Sequence, residues 1–102
     1  MTLREKRCLF TSLIADLIHF ANHAGYEVAL HDVFTRDGHC KNSYHYRGLA
    51  ADLNLYKNGD YLRKTEDHAE LGEYWKSLHP MCTWGGDFRK RDGNHYSFGE
   101  GK

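Results

Sequence analysis

The sequence predicts a small α+β domain, a mostly antiparallel sheet with flanking helices. Three observations carry that prediction. Residues 3–24 place Leu3, Phe10, Leu13, Ile14, Leu17, Ile18 and Ala21 at spacings of three and four, the stripe of an amphipathic helix. Residues 26–31 and 49–56 instead alternate apolar and other side chains, the period of a half-buried strand. Asn58-Gly59 then supplies the pair that a two-residue hairpin turn favours, so the second strand folds back on itself. Helix and strand patterns that do not alternate regularly point to α+β rather than to a parallel α/β sheet.

Taken in order, the first helix ends before Gly25, a residue suited to the position just past a helix end. Tyr26, Val28 and Leu30 lead the first strand, with Val33 and Phe34 after it. Thr35 to Tyr44 is polar and contains glycine, so it reads as a loop. Leu49, Ala51, Leu53 and Leu55 share one face of the next strand, and Tyr61 and Leu62 begin its return. Thr65 or Asp67 is positioned to cap a second helix, whose stripe is Leu71, Tyr74, Trp75 and Leu78. After Pro80 the chain reads as a loop through Arg89-Lys90-Arg91, and His95 to Phe98 alternates again as a final short strand.

Composition narrows the function classes. The chain has 102 residues, a length for one domain spanning 1–102. Its 14 Lys+Arg balance 14 Asp+Glu, which argues against nucleic-acid binding through bulk charge. Forty per cent hydrophobic residues and 14% aromatics argue against disorder. No apolar run approaches the roughly 20 residues that span a bilayer, and no signal-type apolar segment follows the charged start. Cys8, Cys40 and Cys82 form no CxxC pair, a poor disulfide framework that fits a reducing compartment. Eight histidines are many for this length; His19, His23, His31, His68 and His79 are expected to be surface residues.

The densest chemistry lies in Ser43-Tyr44-His45-Tyr46-Arg47-Gly48-Leu49-Ala50-Ala51-Asp52. Asp52 interrupts an apolar strand, where a carboxylate is costly unless paired or bound to a cation. By alternation it faces away from the Leu49/Ala51/Leu53/Leu55 side, with Ala50 and Asn54. Asp92-Gly93-Asn94-His95 adds a second Asp–His pair at the mouth of the last strand. His45, Asp52 and His95 together make a two-imidazole, one-carboxylate set, the pattern of catalytic zinc with an open fourth position. Asp92 is then the nearby carboxylate that takes a proton from water.

Other residues have plainer readings. Ser43 and His45 are too close in sequence for a Ser–His nucleophile, and no GxSxG motif is present. Ser43 is better suited to a hydrogen bond that fixes the loop or orients a metal-ligating side chain. Cys40 beside His39 reads as an ordinary free thiol. Trp84 and Gly85-Gly86 read either as core or as a groove where a peptide approaches the backbone closely. Asp87 reads as a solvated turn residue or as a partner to a metal-ligating histidine, and Arg89-Lys90-Arg91 as a basic turn that would attract carboxylates if it flanked a cleft.

Three blocks occur together: Ser43-x-His45-x-x-Gly48-x-Ala50-x-Asp52, Trp84-Gly85-Gly86-Asp87-Phe88 and Asp92-x-x-His95. In this order they resemble the zinc peptidases of the M15 family, which include D-Ala-D-Ala carboxypeptidases and phage L-alanyl-D-glutamate endopeptidases. Lys41-Asn42-Ser43, Leu53-Asn54-Leu55-Tyr56, Gly72 to Trp75 and Gly93-Asn94-His95-Tyr96 resemble short phage-type members. The likeness runs from about Val33 to Phe98.

It implies the family's hedgehog-like zinc peptidase fold and one Zn²⁺ per chain held by His45, Asp52 and His95. It also implies Asp92 as catalytic acid/base, and Arg36 as a group that binds substrate or polarises the scissile carbonyl. Longer members place a glutamine-containing helix between that arginine and the first ligand, where this chain has eight residues, so Lys41 and Arg47 are alternatives to Arg36. Ser43, Trp84 and Gly85 are the expected substrate contacts.

The resulting expectation is a peptidoglycan hydrolase acting on stem peptides, an L-Ala-D-Glu endopeptidase or a D-Ala-D-Ala carboxypeptidase. It would be a monomer, without nucleic-acid or membrane partners. As an endolysin-like protein it would be made in the bacterial cytoplasm and act on the wall after release. The rival expectation is a non-catalytic, zinc-stabilised wall-binding or structural module, which would have no reason to carry a carboxylate at Asp92.

Overall fold

A computed structural model describes residues 1–33 and 47–99. Helix α1 spans Leu3–His23. Its start is a capping box: Thr2 Oγ1 accepts from the Glu5 N–H at 3.1 Å, and the Thr2 N–H donates to Glu5 Oε1 at 2.7 Å. Phe10, Leu17 and Ala21 are buried from the stripe, whereas Leu3 at its start is 44% exposed.

Among the described residues the strands are β1 (Glu27–Asp32), β2 (Ala50–Lys57), β3 (Asp60–Leu62), β4 (Cys82–Trp84) and β5 (His95–Phe98). The sheet order is β1-β2-β5-β4, every pairing is antiparallel, and β3 pairs with β2. The β2–β3 hairpin turns on Asn58 (φ 54°) and Gly59 (φ 83°), two left-handed residues as this type of turn requires. On β2, Ala51, Leu53 and Leu55 are fully buried, and Asp52 faces the other way, half-buried, as the alternation predicts.

Three expectations about elements need correction. β4 forms where a loop was expected, because its three residues are too few to show an alternation. They become a strand by pairing with β5, Cys82 opposite Phe98 and Trp84 opposite Tyr96. The second helix starts later than expected: Thr65–His68 form a 3₁₀ turn, capped by Asp67 Oδ2 accepting from the Lys64 N–H at 3.0 Å, and α2 spans Ala69–Leu78. Leu30 is 60% exposed, so β1 buries less than its alternation suggests.

The core lies between the sheet and helices α1 and α2. Trp75 of α2 is fully buried, meets Phe10 of α1 edge-on at 5.9 Å, and donates its indole N–H to the carbonyls of Thr83 (3.0 Å) and Ser97 (3.2 Å). One side chain therefore ties α1, α2, β4 and β5 together. Phe20 and Tyr74 stack at 3.9 Å where α1 crosses α2, and Tyr74 donates to Asp16 Oδ1 at 2.6 Å. Among the described residues no helix is long and apolar enough to cross a membrane.

Candidate active site

Antiparallel pairing of β2 with β5 sets Asp52 directly opposite His95. Directly opposed residues share a face, and His95 Nδ1 lies 3.3 Å from Asp52 Oδ1. Both side chains are largely shielded, 14% and 18% exposed. Asp92 reaches the same point from the turn before β5: one ligand atom from each of Asp52, Asp92 and His95 lies within 4.8 Å of the others. Two carboxylates this close repel unless a cation stands between them. Two carboxylate oxygens and an imidazole nitrogen are donors that suit a divalent metal, so the residues present fit the expected ion.

The turn that carries Asp92 is built by Gly85. The Gly85 carbonyl accepts from the N–H groups of Phe88 (3.1 Å) and Asp92 (2.9 Å), and the Asp92 carbonyl accepts from the His95 N–H at 3.1 Å. A Cβ on Gly85 would strike the Asp92 carbonyl and the His95 Cβ. Trp84 braces the same turn, donating its indole N–H to the Gly93 carbonyl at 2.7 Å. The Phe88 ring lies 5.3 Å from the imidazole of His95. Asp92 itself is exposed.

Trp84 and Gly85, expected as substrate contacts, are both buried, Trp84 with 6% of its surface exposed. The indole fills the space that Gly72 and Gly86 leave open by lacking a Cβ. Both residues therefore brace the site from within. Asp87 is an exposed turn residue, as expected, and pairs with Lys76 at 2.8 Å. Arg36, Lys41, Ser43, His45 and Cys40 lie outside the described residues. Arg47 is exposed, and its backbone carbonyl accepts from Arg7 Nε at 2.7 Å, which joins α1 to the approach of β2.

Sequence reasoning misplaced His68. It is buried, 2% exposed, with Nδ1 2.8 Å from the Tyr96 hydroxyl. Burial holds its imidazole below the ordinary value. Burial likewise pushes the Tyr96 hydroxyl up, so this pair beside His95 is neutral. No periodic signal marks His68, because it sits in a 3₁₀ turn rather than on a helical stripe. Also passed over was Asp32, which opposes Asp52 from β1. Among the described cysteines Cys8 is exposed and Cys82 buried, and burial pushes the Cys82 thiol up to about 12, leaving it protonated and inert.

A model of the M15 peptidase family, described as D-alanyl-D-alanine carboxypeptidase, matches residues 37–98. The crystal structure of the Serratia marcescens L-Ala D-Glu endopeptidase ChiX is similar in fold, with a TM-score of 0.66 and 16% sequence identity over 87% of this chain and 79% of that one. No curated protein matches the chain.

Proposed function

Since the chain belongs to the M15 family of peptidases, we propose that it is a zinc-dependent hydrolase of amide bonds in peptidoglycan stem peptides. The observation that carries the reading is the meeting of Asp52, Asp92 and His95 within 4.8 Å at the start of β5, with Asp92 exposed. His45, Asp52 and His95 would hold the ion. When bound, zinc supplies positive charge that acidifies water toward a pKa of ~7 and polarises an amide carbonyl.

The remaining steps belong to the chain's own residues. A carboxylate oxygen of Asp92 takes the proton of the attacking water and then delivers it to the nitrogen of the leaving amine. Pairing of β2 with β5 holds Asp52 and His95 on one face, 3.3 Å apart, before substrate arrives, and the sheet beneath them limits their drift. Arg36, with Lys41 or Arg47 as alternatives, would meet the scissile carbonyl, and Ser43 the peptide. A non-catalytic module has no use for an exposed carboxylate at Asp92, which favours the enzyme.

The endopeptidase reaction between L-Ala and D-Glu is the first to test, with D-Ala-D-Ala cleavage as the other arm. The protein would act as a monomer, made in the bacterial cytoplasm and reaching the wall after release. Zinc-supplied protein should release new amino termini from purified peptidoglycan, and a chelator should stop it. Mass spectrometry of the digested muropeptides then identifies the bond. Absence of new termini with zinc supplied overturns the reading.

A further inference from the structure

Strand β2 has an interrupted edge. β5 pairs with it at residues 50–52 and β3 at residues 55–57, both on the side away from β1. Between these pairings Leu53 and Asn54 face the approach to β5, where the Leu53 N–H donates to the Asn94 carbonyl at 2.9 Å. The gap opens a recess of about 200 Å³, with Asp92 on its wall. Arg63, just past β3, and Arg91, just before Asp92, also line it. The Arg63 guanidinium lies 5.9 Å from the centre of the Tyr61 ring, and the Tyr61 hydroxyl donates to Asn54 Oδ1 at 3.4 Å.

We propose that this recess is a subsite in which Arg63 and Arg91 bind the α-carboxylate of the amino acid that supplies the leaving amine. The inference rests on the hydrolase reading above and extends it. Asp92 belongs to both the recess and the candidate centre, and the atom it protonates is the leaving nitrogen. The residue carrying that nitrogen must therefore project into the recess. In either candidate bond that residue bears a free carboxylate one carbon from the nitrogen: a D-Glu linked onward through its γ-carboxyl, or a terminal D-Ala. Guanidinium groups present forked donors that match a carboxylate, and two of them outweigh the single negative charge of Asp92. His68 also lines the recess, where burial favours its uncharged form, so the positive charge there comes from the two guanidiniums.

The test uses the zinc-loaded full chain and two synthetic peptides that differ only at that position, carboxylate in one and carboxamide in the other. Wild type should prefer the carboxylate by about tenfold or more in kcat/KM, chiefly through KM. In the double variant Arg63→Gln, Arg91→Gln that preference should fall to within about twofold, with zinc content still near one per chain. Calorimetric titration with the corresponding amine products, acid and amide, should show the same preference in wild type and its loss in the variant.

A preference that survives in the double variant, or wild-type protein that binds acid and amide equally, overturns the subsite. If the zinc-loaded chain cleaves neither peptide, the hydrolase reading fails, while the titration still decides whether the recess selects a carboxylate.

Discussion

Asp92 has its backbone fixed and its side chain exposed. Its N–H is held by the Gly85 carbonyl, and its carboxylate lies within reach of Asp52 and His95. That geometry admits two roles, proton carrier or metal ligand, and one substitution separates them. Asp92→Asn should lower hydrolysis by at least about 10²-fold while zinc measured by elemental analysis stays near one per chain. Loss of zinc in that variant would make Asp92 a ligand and refute its acid/base role. His68 yields a prediction of a different kind. Its folded-state pKa is lowered by burial, with only Asp67 opposing the shift, so the unfolded chain binds more protons than the native one at mildly acid pH. Its contribution to stability is complete above about pH 6.5, the ordinary histidine value, and declines as pH falls below that. In zinc-free protein, stability from urea unfolding should therefore drop less steeply between pH 7 and 5 in His68→Gln than in wild type. Identical slopes would show that His68 does not titrate with folding. Asp52 stands out in the sequence as a carboxylate inside an apolar strand, but His68 could not be read as buried, because its shielding comes from Tyr96, 28 residues away.

At the scale of elements, the 3₁₀ turn at Gly85–Asp87 links β4 to the Asp92 turn. Gly85→Ala should destabilise the protein by about 1–3 kcal/mol, because the added methyl meets a carbonyl and a Cβ that hydrogen bonds hold in place. Since those atoms belong to Asp92 and His95, the variant should also lose activity beyond its unfolded fraction. Urea denaturation beside kcat/KM at a temperature where the variant is folded checks both. A fully active, equally stable variant would show that the turn relaxes freely. The α1 stripe, the β2 face and the Asn-Gly hairpin were legible because each rests on local periodicity or turn chemistry. β4 was not, because three residues hold no period and the strand exists only through β5. The start of α2 was misjudged because Asp67 caps a tighter turn first.

Over the whole molecule, the site joins β2, β5 and the turn before β5, so a bound ion should stabilise their assembly. Zinc at about 100 times its dissociation constant should add roughly 2.7 kcal/mol to unfolding free energy, and a chelator should remove it. Thermal unfolding with and without zinc reads the change directly. His95→Ala should erase the zinc-dependent shift and lose bound metal; full tight occupancy in that variant would refute the ligand assignment. The residue types of the centre, their order along the chain and the elements that carry most of them follow from local chemistry: period, turn residues and a carboxylate where an apolar side chain belongs. Contact between Asp52 and His95, the role of Gly85 and Trp84 inside the site, and the recess between β3 and β5 depend on which strands pair and in what register. No tight turn joins β2 to β5 or β4 to β5, so those registers are settled by burying one face of each strand against residues distant in sequence.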